Sequence, residues 1–524
     1  MVTAGVNIQR LWGDCRRQKC KKFLARDGGR LVFFDFIKKQ SAGLFFSAAL
    51  CFGGSFSAVS AQDVLEIDVR GEFKATYSDN VNLVQTGKQG GLVLNASPGL
   101  NIRYKTGRTE ASFDYWLDYY RFLYDGSSEV RHSAFATLDS EVIKDHFFLR
   151  GRAGVQQEFL DRTGGFSNSD ANRSANRRTV QNYSLSGSWQ SRVLDLANFT
   201  AGYEYGQVLS PADNLEDDTL TVNFSDTVSH TLNAVLTSGK RYQKFEWFLR
   251  GRYQRVEKSL VDDDFEEWNY GGELWYKPNR HIAVMGGYSF RGNKAQTDKL
   301  SLNTGGVKYG VRLQPGPKLT VSAEREELSA DRTYDTFSLY YQMTKRIVLQ
   351  VNHIVDFSSN ALGLADRIRR LSFEDRFGID DGTGVPIDDS DIAFSLTDID
   401  FEQFQWNGSL RWRHKRDRVF ISGNRERRVF DADIEDSRSW GGALGWERNI
   451  DRMTTFSITG SYRKNIIDGG ERIDEYRTLN MDWQRTLSRY FKMAFQFSRT
   501  DRKSSVETGN LRENALTFYL RGSF

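Results

Sequence analysis

The stretch Leu65-Glu-Ile-Asp-Val-Arg-Gly-Glu-Phe-Lys-Ala-Thr-Tyr77 alternates apolar or small residues with polar ones. Successive side chains of a β-strand point to opposite faces, so this stretch predicts a strand with one apolar and one charged face. Strands in globular proteins usually have about five or six residues. The stretch is longer, and its length is what a tilted strand needs to cross a bilayer. It therefore predicts a membrane-spanning strand of a β-barrel.

The same alternation recurs in Phe147–Val155, Phe245–Tyr253, Phe404–Trp412 and Leu516–Phe524. Short polar turns alternate with longer, often acidic loops, an arrangement typical of outer-membrane barrels. Counting the hairpins predicts about 22 strands, within a range of roughly 18 to 24, with both termini on the short-turn side. An open sheet edge would leave backbone groups unpaired in hydrocarbon. The predicted fold is therefore all-β, a closed antiparallel transmembrane β-barrel.

The beginning of the chain has the pattern of an export signal. Ala42–Gly54 is an apolar segment that follows two lysines and precedes a small-residue cleavage site ending at Ala61. We therefore predict a signal segment over residues 1–61 and a barrel over residues 62–524. Residues 1–30 are longer than a usual leading segment, which indicates a start codon assigned too far upstream. The alternative is a short membrane anchor that is not cleaved.

Charge and cysteine content exclude several function classes. The segment 1–61 holds 10 of the 72 basic and 3 of the 68 acidic residues, so the mature chain is slightly acidic and no nucleic-acid partner is predicted. Cys15, Cys20 and Cys51 all lie in that segment. A mature chain without cysteine excludes disulfide scaffolds, thiol catalysis and cysteine-based zinc sites. An exported chain of this kind is predicted to lie in the cell outer membrane.

The C-terminal strand carries an assembly signal. Its alternate residues Leu516, Phe518, Leu520 and Gly522 share one face with Phe524, the last residue. This looks like the terminal strand that the bacterial barrel-assembly machinery recognises, which predicts that machinery and outer-membrane lipid as partners. The alternative is an ordinary edge strand that ends in phenylalanine by chance.

Two short motifs resemble a known family. Tyr77, Asp79 and Asn80 belong to the stretch Ala75–Leu83 near the start of the predicted barrel, and Pro98 and Gly99 belong to Asn95–Leu100, which follows it. They resemble the opening of the outer-membrane β-barrel proteins associated with PEP-CTERM and exopolysaccharide loci, within the wider group of β-barrel porins. The resemblance implies an outer-membrane barrel encoded near polysaccharide genes, with periplasmic polysaccharide-synthesis components as partners. It implies no particular substrate and no catalytic residue. We also expect a bulge or kink at Pro98.

If apolar residues such as Leu149 and Leu249 face lipid, the charged residues between them line the lumen. The predicted lumen-lining residues are Glu66, Asp68, Arg103, Arg150, Arg152, Arg250, Arg252, Arg411, Arg413 and Arg521. Inward arginines can attract carboxylate or phosphate groups of a passing solute. Alternatively, inward acids and bases pair across neighbouring strands and brace the lumen. The longest connection, residues 358–400, is a candidate plug.

No catalytic site, cofactor or metal site is predicted, because the six histidines show no metal-ligand or triad spacing and no phosphate-binding loop occurs. Three function classes remain. The first is a pore or exporter for an acidic or neutral polysaccharide. The second is a non-conducting barrel that anchors a polysaccharide or protein-sorting complex. The third, a surface hydrolase, would need a cluster of histidine, aspartate and serine at the rim.

Overall fold

The computed structural model describes residues 64–159, 167, 169, 172, 177–209, 226–242, 244–259, 264–294, 300–328, 332–359, 400–430, 435–506 and 509–524. The predicted signal segment 1–61 lies outside the described residues. So does the candidate plug 358–400, apart from its first two residues and its last one. All of the structure below therefore concerns the barrel.

The strands are β1 Val64–Ser78, β2 Gly91–Lys105, β3 Thr109–Phe122, β4 Ser128–Ile143, β5 Phe147–Phe159, β6 Arg177–Val193, β7 Ala197–Leu209, β8 Thr227–Ser238, β9 Phe245–Lys258, β10 Phe265–Asn279, β11 Ile282–Lys294, β12 Asn303–Gly316, β13 Leu319–Leu328, β14 Arg332–Thr344, β15 Ile347–Ser359, β16 Asp400–His414, β17 Asp417–Phe430, β18 Ser437–Asn449, β19 Thr454–Ile467, β20 Arg472–Thr486, β21 Phe491–Ser504 and β22 Leu511–Ser523. A 3-10 turn, Asp468–Gly470, separates β19 from β20. Each strand pairs antiparallel with its neighbour in the chain, and β22 pairs with β1. The prediction of a closed antiparallel barrel of about 22 strands is confirmed. No helix among the described residues is long and apolar enough to cross a membrane.

The pairing of β1 with β22, which we call the seam, closes the sheet. Its ladder runs from Arg70 opposite Ser523 to Ser78 opposite Ala515. Beyond the ladder, the backbones of Val69 and Phe524 exchange two hydrogen bonds of 3.1 and 2.9 Å. The last residue of the chain is therefore tied into the barrel by its own peptide groups.

The two faces of the strands differ as the alternation predicts. In β1 the apolar Leu65, Ile67 and Val69 are 62, 56 and 56 % exposed on the outside. The intervening residues point inward, and Glu72 and Thr76 among them are buried. Outward apolar and inward polar residues are the reverse of a soluble protein, since the barrel interior holds the polar groups.

The strand connections differ at the two ends of the barrel. Ten connections at the end that holds the chain termini have two to six residues, whereas those at the other end include 160–176, 210–226 and 360–399. In one short turn the Asp451 carboxylate accepts hydrogen bonds from the backbone N–H groups of Met453 (2.6 Å) and Thr454 (2.8 Å). The bond from Met453 contributes most to lowering the pKa of Asp451.

Pro98 interrupts the pairing of β2 with β3 without shifting the register of the two strands. The β2–β3 register is the same at Ala96–Tyr119 as at Gly99–Trp116, and the two intervening pairs are missing. Proline has no N–H to donate, which accounts for a local loss of pairing. The bulge expected at Pro98 is therefore absent, and the strand continues in register.

Candidate functional site

The inner wall of the barrel is the candidate functional surface, and β9 gives its orientation. Leu249 is 52 % exposed on the outside, and the side chain of Arg250 points inward to Glu273 on β10. Leu149 is half-buried, and the neighbouring Arg150 lies on the face of β5 that reaches Asp139. The alternation thus places the predicted arginines on the lumen side.

Four of these arginines form ion pairs with adjacent strands. Arg521 on β22 donates two hydrogen bonds to Glu72 on β1, of 2.5 and 2.9 Å. Arg250 lies 2.6 Å from Glu273. Arg152 and Arg150 share one carboxylate, that of Asp139, at 2.8 and 3.5 Å. Each of these pairs joins neighbouring strands, which is the bracing role.

The other four predicted arginines have no carboxylate within ion-pair distance among the described residues. Arg252 donates to the side-chain oxygen of Gln254 (2.7 Å), and Arg411 donates to that of Gln350 (2.8 Å). Within the described ranges, no ion pair involves Arg103, Arg252, Arg411 or Arg413. Their positive charge is therefore directed at the lumen. The predicted acids of β1 differ too: Glu66 is exposed, and Asp68 lies 3.5 Å from Arg70.

Next to Arg411, the inner faces of β14–β16 form a neutral surface that we call the amide wall. Its members are paired across the three strands and are Ser338, Gln350, Asn352, Gln405, Asn407 and Ser409. All are half-buried or exposed. Ser338 donates to Asn352 (3.1 Å) and Gln405 donates to Asn407 (3.3 Å). Amide and hydroxyl groups both donate and accept hydrogen bonds, so this wall can bind polyhydroxylated solutes.

A small recess lies in the inner wall between β9 and β13. Its polar lining includes Arg250, Asn269, Glu273, Ser289, Lys308 and Glu326. Glu273 accepts hydrogen bonds from Arg250 (2.6 Å) and from Lys308 (2.7 Å), although Lys308 lies two strands away on β12. The residue between them, on β11, is Gly287. Because glycine has no side chain, Lys308 can reach across β11 to the carboxylate.

The family-like motif at the end of β1 and just after it fastens the seam. The Asp79 carboxylate accepts hydrogen bonds from the backbone N–H (2.7 Å) and the side-chain amide (2.6 Å) of Asn514. Asn80 is fully buried and donates to the backbone oxygens of Val84 (2.8 Å) and Arg512 (3.0 Å). Tyr77 points outward and is 53 % exposed. Asp79 and Asn80 thus join the start of the barrel to its last strand.

Around the seam, the inner faces of β1–β3 and β22 form a buried polar surface that we call the seam wall. Its members are each at most 5 % exposed and are Glu72, Ser78, Ser97, Asn101, Asp114 and Glu513. Ser78 donates to Glu513, and Asn101 donates to Asp114, both at 2.5 Å. Gly99 lies here under the ring of Trp116, where a Cβ atom would approach the ring to 2.6 Å. At Gly99 the seam wall therefore has no room for a side chain.

Two contacts have no counterpart in the sequence analysis. Ser167, between β5 and β6, donates a hydrogen bond to Glu513 on β22. Lys308 was not singled out, although it completes the recess. The inward position of Gly287 was a usable signal for the contact of Lys308 with Glu273. Nothing in the local sequence marks the contact of Ser167 with Glu513.

The assembly-signal residue Phe524 packs at the short-turn end. Its ring centroid lies 5.5 Å from that of Phe491 and 6.0 Å from that of Tyr490.

Two histidines contact tyrosine hydroxyl groups: His132 with Tyr115, and His230 with Tyr203, each at 2.7 Å. No group of three or more metal-ligating side chains occurs in the described part of the chain.

Comparisons with known proteins give structural likenesses only. No protein-family model matches the chain, and no curated protein matches it. The FrpB iron transporter from Neisseria meningitidis is similar to it with a TM-score of 0.48 and 10 % identity, over 87 % of this chain and 82 % of that one. The siderophore receptor PirA from Acinetobacter baumannii gives a TM-score of 0.47 and 8 % identity, over 88 % and 80 %. OprD from Pseudomonas aeruginosa gives 0.34 and 7 %, over 88 % and 95 %. Likenesses this distant give no information about any solute that this chain transports.

Proposed function

We propose that this chain is an outer-membrane barrel that serves as a pore or exporter in exopolysaccharide production. The observation that carries the proposal is the division of the strands into an exposed apolar outer face and a polar inner face, as in β1 and β9. Only a closed barrel of this kind can cross hydrocarbon with every strand edge paired. Barrels with more than about 16 strands are wide enough to hold an aqueous lumen.

The chemistry of the amide wall favours a polysaccharide as the transported molecule. Its side chains present hydrogen-bond donors and acceptors with no fixed charge, and they are accessible from the lumen. Hydroxyl-rich chains can exchange hydrogen bonds with such a surface in many registers, which suits passage better than tight binding. Arg411 and Arg413 lie on β16 at its short-turn end. There they would attract an acidic polysaccharide at the periplasmic entrance.

The test is conductance in planar lipid bilayers, with the mature chain and with a variant lacking residues 360–399. We expect ion conductance that is blocked by oligosaccharides, with acidic ones more effective than neutral ones. Replacing Asn352 and Asn407 with leucine removes hydrogen-bonding groups and should weaken the block by oligosaccharides. Conductance should fall only by the amount that the larger leucine side chains obstruct the lumen. No conductance from either chain would contradict the proposal.

A second candidate, an anchoring barrel for a periplasmic polysaccharide-synthesis complex, is favoured by one observation. The seam wall is buried and cross-linked by hydrogen bonds, which a passive solute path does not need. An anchor predicts stable co-purification with a periplasmic partner and no conductance. The two candidates therefore separate in the same bilayer measurement.

A further inference from the structure

The outer face of β18–β22 carries an excess of cations at the long-loop end. These residues, which we call the basic patch, are Arg438, Lys464, Arg477, Arg499, Lys503 and Arg512. They alternate along their strands with buried inward residues such as Arg463 and Asp474, so they point outward. Among the described residues of these five strands, two outward carboxylates, Glu475 and Asp501, share this part of the outer face.

The two carboxylates cannot neutralise the patch. Glu475 lies 3.4 Å from Lys464 and 3.6 Å from Arg477, and Asp501 lies 3.8 Å from Arg499. In the described part of the chain, Arg438, Lys503 and Arg512 form no ion pair. The strand register places Arg512 opposite Asp501, and Lys503 opposite Glu475, so the cations form one continuous surface. Six positive and two negative groups leave a formal charge of +4.

The corresponding surface of β9–β14 has the opposite balance. Its outward cations at the long-loop end are Arg255, Lys294 and Arg325, and its outward carboxylates are Glu257, Glu266, Glu327 and Asp335. Arg325 and Asp335 form a two-bond pair of 2.7 and 2.9 Å. An excess of outward cations at the long-loop end is therefore not a general feature of the strands. It occurs on β18–β22 and not on β9–β14.

The basic patch lies directly above the apolar band of the same strands. Leu444 and Leu516, nearer the short-turn end, are 57 and 54 % exposed on the outer face. Trp440, 47 % exposed, lies at the boundary, and the guanidinium of Arg477 is 6.0 Å from the ring of Tyr462. Exposed aromatic rings mark the interface between hydrocarbon and headgroups. The cations are thus at headgroup height.

We infer that the basic patch binds the phosphate groups of an anionic lipid in the leaflet at the long-loop end. The guanidinium group has the planar geometry that matches phosphate oxygens, and clustered basic residues attract anionic headgroups. The exposed leucines below the patch supply the apolar surface for the acyl chains. A soluble anion would use only half of this surface. The inference rests on the proposed insertion in the outer membrane.

The test compares two lipids on the full chain folded in detergent: a glucosamine disaccharide acyl lipid with two phosphates, and the same lipid without phosphate. We expect the bisphosphorylated lipid to bind more tightly. The triple variant Lys464→Gln, Arg477→Gln, Arg512→Gln should weaken its binding about a hundredfold. The matched variant Arg255→Gln, Lys294→Gln, Arg325→Gln removes the same charge and should bind as the wild type does.

Three results would overturn the inference: equal binding of the phosphate-free lipid, equal loss in the matched variant, or complete displacement by inorganic phosphate, which would indicate an anion site without a lipid. Heat-modifiable migration on gels checks that both variants are folded. If the chain inserts into vesicles and conducts but shows no lipid preference, this inference alone fails. If it does not insert, the proposed function fails with it.

Discussion

The seam wall and the amide wall are both polar and both face inward, yet they differ in what their side chains contact. On the seam wall the groups are buried and bonded to one another, as Ser78 is to Glu513. On the amide wall the groups are neutral, accessible and only loosely bonded, as Ser338 is to Asn352. An inward polar residue thus serves closure in one region and remains available to solute in the other.

The difference follows from what each region has to do. The first and last strands meet only through the folded sheet, so nothing in the chain holds them together except their own contacts. Bonds between side chains more than 400 residues apart, such as Asp79 with Asn514, supply that connection. The strands β14 and β15 are joined by a two-residue turn and need no such support.

The largest expected effect is at the seam. Glu72→Ala should lower the free energy of unfolding by about 3–5 kcal/mol, because it removes a buried carboxylate that pairs with both Arg521 and Lys74. The measurement is urea unfolding of the barrel in lipid vesicles, followed by tryptophan fluorescence.

The matched control is Asp139→Ala, which also removes a carboxylate shared by two basic groups. Its side chain is 46 % exposed, so the loss should be about 1 kcal/mol or less. Equal losses at Glu72 and Asp139 would remove the distinction between the buried seam and the rest of the inner wall.

A smaller effect is expected from reversing the faces of β9. Leu249→Arg should cost about 2–4 kcal/mol, because it places a charge in hydrocarbon. Arg250→Gln should cost about 1 kcal/mol or less, since Glu273 keeps its bond to Lys308. Both values come from the same unfolding measurement. The opposite ranking would mean that the register is wrong by one residue, since one step exchanges the two faces.

The architecture was predictable because its signals are local. Alternation with a period of two defines each strand and its lipid face, and the turns between strands give the strand count. The terminal Phe524 and the stretch beginning at Leu65 could be interpreted without knowing what lies beside them.

The partners of the inward charges were not predictable, because they depend on register. Whether Arg250 braces or attracts solute is decided by Glu273, which lies on another strand. The contact of Lys308 with Glu273 needs the alignment of three strands at Gly287. The role of Asp79 depends on Asn514, at the other end of the chain. Sequence alone left bracing of the wall and attraction of solute as alternatives. The structure shows which arginines form ion pairs across strands, namely Arg150, Arg152, Arg250 and Arg521.

The central claim is that unpaired inward arginines, not paired ones, set the charge preference of the lumen. The direct test is the reversal potential of single channels under a salt gradient. We expect anion preference in the wild type and its loss in the variant Arg252→Gln, Arg411→Gln, Arg413→Gln, because these cations face the solute path, whereas salt screens charges that lie more than about 8–10 Å from it. The double variant Arg250→Gln, Glu273→Gln removes one positive and one negative group and should leave the preference unchanged, because Lys308 keeps its contact with Glu324 at 2.9 Å. Cation preference in the wild type, or an unchanged reversal potential in the triple variant, would contradict the account.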